Sequence, residues 1–255
     1  MGVSSDRETS PFEGLNLSAN SVHIWQISLS GHDLLLPRLR KLLSSDEIER
    51  ADRFYFERDR QSFTVARAAL RQILGRYVNR SAETLAFSYG AKGKPELAEH
   101  TSLKFNLSHS GGFALLAVAQ SLCLGVDIER VKPDFAGEDI AERFFSSNEV
   151  AALRAVAQEA KAESFFSCWT RKEAYIKALG EGLSVPLDSF DVAFGPGIPA
   201  ALLSVRVSSD ETERWSLYDV VAPPGYKAAL VAEGKQHRLQ YWQWEPNLEI
   251  SATSL

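Results

Sequence analysis

The spacing of hydrophobic residues changes several times along the chain, and each change marks an element. Val22–Leu29 is rich in β-branched and aromatic residues and predicts a strand. The apolar spacing of Leu34–Leu43 predicts a helical segment, and Ser44-x-x-Glu47 is a capping-box pattern that opens another helix, with Arg50 and Arg53 on one face. A long helix is expected from about Asp59 to Leu74, stopped at Gly75. Ser88–Leu97 holds Gly90, Gly93 and Pro95 and predicts a loop. After it, Ser102–Leu107, Phe113–Gln120 and Leu122–Glu129 predict strands of one antiparallel sheet.

The same plan then recurs. A loop at Val131–Gly137 precedes a helix near Asp139–Phe145, a second capping box at Ser146-x-x-Glu149, and a long helix ending at Gly180. Strands are predicted at Phe190–Phe194, Ala201–Val207, Trp215–Val221, Tyr226–Ala232 and Leu239–Trp244. Aligning Gly75 with Gly180 sets Ala66–Leu74 beside Arg171–Leu179, with Ala68 opposite Glu173 and Gln72 opposite Lys177. The expectation is an α+β protein with an N-terminal half at 21–124 and a C-terminal half at 125–245. Only the second half carries the charged pattern.

Composition adds limits. The chain has 255 residues, 45% hydrophobic and 24% charged, enough for one large or two small cores. A net charge of −5 argues against general affinity for nucleic acid or membranes, so anionic phosphates must be met by local basic clusters. Cys123 and Cys168 lie in apolar runs and read as small buried hydrophobes of a reducing compartment. Residues 1–20 are polar and aperiodic, unlike a signal peptide, and are expected to form a loose tail, as is 246–255. Met1-Gly2 is no myristoylation signal, since Asp6 stands where Ser or Thr is wanted. The longest apolar stretch, Phe113–Ala119, is too short to span a bilayer, and a cytoplasmic location is expected.

Two stretches carry candidate chemistry. In Trp169–Leu183, WTRKEAYIKALGEGL, Glu173 and Lys177 stand four apart and share one helical face, on a helix with apolar side chains nearly all round. Alone, that spacing reads as an ordinary ion pair worth about 0.2–0.5 kcal/mol. In Gly125–Glu129, GVDIE, strand alternation sends Val126 and Ile128 to one face and Asp127 and Glu129 to the other. Neighbouring carboxylates repel unless a cation joins them, and hard divalent cations prefer such oxygen ligands. Acid-x-acid triplets are common in an acidic chain, however, and Glu47-x-Glu49 is another.

Taken together, GVDIE followed about forty residues later by W-x-x-KEA-x-x-K-x-x-G resembles the signature of the Sfp-type 4'-phosphopantetheinyl transferases. Gly93-Lys94-Pro95, Phe105-Asn106-Leu107-Ser108-His109-Ser110 and Pro224-Gly225-Tyr226-Lys227 match further elements of that family in order, so the resemblance covers roughly 22–243. It implies two similar α+β halves about a pseudo-twofold axis, in a monomer, with the site between them. It also implies transfer of the 4'-phosphopantetheine arm of coenzyme A to a serine of an apo acyl or peptidyl carrier protein, with release of adenosine 3',5'-bisphosphate. Such carriers serve fatty acid, polyketide and nonribosomal peptide synthesis.

By the same resemblance, Asp127, Glu129 and Glu173 match magnesium ligands, and Glu173 or a metal-bound water accepts the serine proton. Lys177 matches a cation beside the diphosphate, and His109 a phosphate contact after Ser108. Lys94, with its neighbour Lys92, is expected near the nucleotide phosphates, and Arg50 near the 3'-phosphate. The chain departs from the family at Glu47, where some members have a basic residue, so that clamp is expected to be built differently. A metal-dependent phosphohydrolase and a non-catalytic carrier-binding module remain the alternatives.

Overall fold

Two sheets stack face to face, and each is covered on its outer side by helices, because the strands at Ser21–Ser28, Phe113–Gln120 and Tyr226–Glu233 alternate their apolar side chains between two layers. A computed structural model describes residue 15 and residues 17–90, 92–99, 101–134, 137–206, 208 and 210–246. The expected tails, 1–20 and 246–255, lie largely outside these residues. The described elements run β1 (Ser21–Ser28), α1 (Leu36–Arg40), α2 (Ser45–Asp52), α3 (Glu57–Tyr77), β2 (Phe87–Tyr89), β3 (Pro95–Leu97), β4 (Leu103–Ser110), β5 (Phe113–Gln120) and β6 (Leu124–Arg130). They continue with α4 (Glu138–Phe144), α5 (Ser147–Ala155), α6 (Gln158–Leu179), β7 (Phe190–Val192), β8 (Leu202–Val205), α7 (Glu211–Arg214), β9 (Trp215–Asp219), β10 (Tyr226–Glu233) and β11 (Arg238–Gln243).

The first sheet has the order β11-β1-β5-β4 and the second β6-β10-β9. Val22, Ile24, Leu115, Ala117, Val126, Ile128 and Leu230 fill the layer between them. Trp25, Ile27, Leu116 and Val118 face α3, and Ala229 and Val231 face α6. No described helix is long and apolar enough to cross a membrane. Both cysteines are free thiols; Cys168 is buried and Cys123 half-buried.

The halves repeat one another in register. β1 pairs with β5 from Val22↔Ala119, and β6 with β10 from Leu124↔Ala232. Both capping boxes form, and each box glutamate also anchors its helix to the long one. Glu47 meets Arg67 and Arg71, whose guanidinium reaches the carbonyls of Ala82 and Leu85; Glu149 meets Lys172, whose ammonium reaches those of Leu187 and Phe190. These partners fix the repeat as Arg71 with Lys172. Gln72 therefore corresponds to Glu173 and Arg76 to Lys177, one helical turn from the alignment through Gly75 and Gly180.

Gly75 misleads because it does not end its helix. α3 continues to Tyr77, and a Cβ on Gly75 would stand 2.6 Å from the Arg80 carbonyl oxygen, so this glycine makes room for a passing chain. Gly180 does cap α6, at φ 76°. Two other expectations change. Ser88–Leu97 holds a small hairpin, β2 with β3, not only a loop. The third strand of the expected antiparallel sheet, β6, leaves β4 and β5 and joins β10 instead.

The edge β11–β1 is closed over a buried polar ring system. With Gln240 presenting its carbonyl oxygen, His23 Nε2 donates to it at 3.0 Å, and Nδ1 accepts from Tyr77 Oη at 2.7 Å, which itself accepts from Trp25 Nε1 at 2.9 Å. Burial holds the His23 pKa below its ordinary value of 6.5. The folded state thus resists a proton that the unfolded chain takes up. Stability is complete above about pH 6.5 and is lost as the pH falls from there toward the folded value. Denaturant melts at pH 7.5 and 5.5 should show a loss in the wild type that is smaller in His23→Gln; equal losses would place the dependence elsewhere.

Candidate active site

β6 and β4 lie side by side without a backbone ladder, and polar side chains of β4 form the seam. Asn106 Oδ1 accepts from Val126 N at 2.8 Å, Ser108 Oγ donates to Asp127 Oδ1 at 2.8 Å, and Ser110 Oγ donates to Glu129 Oε2 at 2.6 Å while accepting from Arg130 N at 3.1 Å. The pairs ascend together, so the strands run in the same direction. Asn106, Ser108 and Ser110 are spaced by two and therefore share a face of β4. The polarity of that face was the available signal for the seam.

On the other side of β6 lies α6. A Cβ on Gly125 would stand 2.2 Å from the Ala174 carbonyl oxygen and 2.3 Å from Ala178 N, so only glycine lets the helix lie this close. The register puts His23 at the equivalent position of β1. Two residues on, Asp127 and Glu129 face the helix side, as the alternation of GVDIE requires, and Trp25 and Ile27 stand in their places in the first half.

Six of the expected residues line one pocket of about 380 Å³: Ser108, His109, Asp127, Glu129, Glu173 and Lys177, joined by Leu107 and Trp169. The shared face of Glu173 and Lys177 is realised, but the ammonium goes elsewhere. Lys177 Nζ donates to Asp127 Oδ1 at 2.6 Å and to Ser108 Oγ at 2.9 Å, closing a three-membered ring of contacts with the Ser108–Asp127 bond. Asp127 is buried, and its second oxygen, Oδ2, has no hydrogen-bond partner among the described residues.

The electrostatics follow from crowding. Burial and then the charge of Asp127 raise the pKa of Glu173; burial also raises that of Glu129, with Asp127 adding to it against the Ser110 hydrogen bond. His109 is exposed, yet the protein packed around it, and then the charges of Lys177 and Arg50, hold its pKa below the ordinary value. His109 is therefore neutral near pH 7.

Three expected residues stand outside this pocket. Arg50 lies over the Phe63 ring at 5.4 Å and lines an open pocket with Arg53, Phe54, Tyr89, Asp46 and Glu49. Glu47, one turn before it, is buried beneath α2 against Arg67 and Arg71, so it is unavailable to a ligand. Lys92 is exposed, with its stem 3.4 Å from where a Gly182 Cβ would sit. Lys94 is drawn away from the acids and donates to two backbone carbonyls, of Leu124 and Lys177.

Among the described residues no three acidic, histidine or cysteine side chains converge as a ready-made cation site. Asp127 Oδ1 is held by Lys177 and Ser108, and Glu129 Oε2 by Ser110, so the carboxylates turn toward separate partners. Their chemistry nonetheless fits a hard cation. The donors are all oxygen, one buried carboxylate oxygen is unpaired, and two neighbours have raised pKa values that a cation would lower.

Two sequence profiles match: 4'-phosphopantetheinyl transferase superfamily over residues 123–231, and 4'-phosphopantetheinyl transferase, N-terminal, over residues 30–121. The chain is 37% identical over 233 residues to the 4'-phosphopantetheinyl transferase HetI of a Nostoc species, covering 90% of this chain and 95% of HetI. It is 32% identical over 204 residues to the 4'-phosphopantetheinyl transferase Sfp of Bacillus subtilis, covering 76% of this chain and 84% of Sfp. Among solved structures, the ACPS-CoA complex of Chronobacterium ammoniagenes matches 46% of this chain at 21% identity, with a TM-score of 0.34.

Proposed function

Because the chain belongs to the 4'-phosphopantetheinyl transferases, a family of enzymes, we propose that it moves the 4'-phosphopantetheine arm of coenzyme A to a serine of an apo carrier protein. The reading is carried by one observation: Glu173, with its raised pKa, shares a pocket with the Ser108–Asp127–Lys177 ring and the unpaired Asp127 Oδ2. The serine oxygen bonds to the phosphorus bearing the pantetheine, and the bond from that phosphorus to the bridging diphosphate oxygen breaks. Adenosine 3',5'-bisphosphate leaves.

Glu173 takes the serine proton, directly or through a water; burial and Asp127 favour a proton on its carboxylate, whereas a cation held beside it would lower its basicity and shift the task toward the water. Lys177 has three ammonium protons and gives two to Asp127 and Ser108, which leaves one for the leaving phosphate. Neutral His109 donates a ring N–H to a phosphate oxygen without adding charge. Magnesium, held by Asp127 through its unpaired Oδ2 with Glu129 and Glu173, would supply the positive charge that offsets the diphosphate.

The test is mass spectrometry of apo carrier proteins from fatty acid, polyketide and peptide synthesis after incubation with this protein, coenzyme A and magnesium. Carriers should gain one phosphopantetheine, with matching bisphosphate release. Bisphosphate released without any carrier would mark a phosphohydrolase instead, and binding of carriers with no turnover a non-catalytic module.

Arg50 offers a separate prediction. Its helix face opens to the pocket beside Phe63 and Tyr89, and the reading assigns it the 3'-phosphate. Arg50→Ala should weaken coenzyme A by about 1.5–3 kcal/mol and 3'-dephospho-coenzyme A far less. Calorimetry on both ligands decides, and equal losses would remove Arg50 from the 3'-phosphate.

A further inference from the structure

Lys94 leaves the first half of the chain at the head of β3 and ends on the second half. Its Nζ donates to the carbonyl oxygen of Lys177 at 2.7 Å and of Leu124 at 3.0 Å. Those acceptors are the two elements that build the pocket: Lys177 is in the last turn of α6, and Leu124 opens β6 one residue before Gly125. Lys94 does not line the pocket of Glu173 and Lys177. It lines a different cavity, of about 360 Å³, with Pro95, Cys123, Leu124, Ala178 and Gly180.

Resting on the transferase reading above, we propose that Lys94 is a positioning residue, which clamps the last turn of α6 onto the start of β6 and thereby holds Lys177 against Asp127, and is not a ligand of the nucleotide phosphates.

Carbonyls in the last turn of a helix lack intrahelical donors and carry the negative end of the helix dipole, so an ammonium on the Lys177 carbonyl fills both needs. The contact between α6 and β6 is backbone on backbone at Gly125, with no side chain there to hold it, and Lys94 supplies a tie across that contact. The socket suits a compact point charge. Two converging carbonyls take two of the three ammonium protons, whereas a planar guanidinium is wider and its donors are fixed in a fork.

Lys94→Met keeps the stem and removes the ammonium, and Lys94→Arg keeps the charge but not the shape. The measurements are affinity for coenzyme A and for adenosine 3',5'-bisphosphate, single-turnover transfer at saturating coenzyme A, melting temperature, and deuterium exchange over 174–180. For Lys94→Met we expect affinities within about twofold of wild type, transfer slowed about 10- to 100-fold and faster exchange in that segment, because small misplacements of reacting groups cost rates of this order. Lys94→Arg should keep affinity and fail to restore the rate.

Tenfold weaker binding with saturated transfer intact, restored by Lys94→Arg, would make Lys94 a phosphate ligand and overturn the proposal. A lower melting temperature with unchanged transfer by the folded protein would overturn it as well. If Lys94→Met does not fold, the same affinity and rate measurements on Lys94→Arg decide. Should the wild type transfer nothing, the functional reading fails, while exchange over 174–180 still reports whether Lys94 holds α6.

Discussion

Glu173→Gln is expected to lower single-turnover transfer to a carrier protein by about two to four orders of magnitude, the range that a positioned acid or base contributes. Glutamine keeps the size and helix propensity of the residue, so α6 should form as before. What disappears is the acceptor for the serine proton and a negative charge in a pocket where burial and Asp127 already disfavour it. Removing that charge should leave the fold intact and coenzyme A binding within a modest factor. Lys177→Met separates two roles for its neighbour. The ammonium touches Asp127 and Ser108, not the glutamate one turn away, so its loss leaves Asp127 buried without a cation. If Lys177 serves the leaving phosphate, the double variant should be little slower than the worse single one, since groups acting on one transition state are strongly non-additive. Losses that multiply would separate the two residues into independent roles. Near wild-type transfer by Glu173→Gln would end the mechanism.

Local rules were legible in the sequence, and contacts between distant segments were less so. Both capping boxes, the alternation of GVDIE and the shared face of Glu173 and Lys177 depend on neighbours within one turn or one strand, and each formed. The destination of β6 did not follow, because strands of matching length and polarity carry no label for which sheet they join. Glu47 shows the limit on the functional side. An acid beside Arg50 reads from the sequence as an altered phosphate clamp, whereas tertiary structure turns it inward to two arginines of α3. Its twin Glu149 does the same with Lys172, and that likeness is invisible until both ion pairs are seen. Lys94 is the converse case, a basic residue in a recognisable motif whose charge is spent on backbone carbonyls. A motif identifies which residues matter; the partner of each charge is set by what folding brings beside it.

Gly125→Ala is expected to be the most damaging glycine-to-alanine change among the described residues. A Cβ there would lie 2.2 Å from the Ala174 carbonyl oxygen, 2.3 Å from Ala178 N and 2.8 Å from the Lys177 carbonyl carbon, all backbone atoms that cannot rotate aside. Relief requires α6 to move off β6 as a unit. Overpacking of this kind costs about 1–3 kcal/mol, and backbone clashes stand at the upper end. At roughly 2–4 °C per kcal/mol for a chain of this size, the melting temperature should fall by about 6–12 °C. The displacement also carries Glu173 and Lys177 away from Asp127, so transfer should be lost well below the new melting temperature, while the protein remains folded. Gly112→Ala is the control: a Cβ there meets nothing within 4 Å, and both stability and transfer should stay near wild type. The comparison discriminates because the two substitutions add the same methyl group. A stable, active Gly125→Ala would mean that α6 does not rest on β6 at this distance, and with that contact gone the placement of Lys177 against Asp127 would lose its cause.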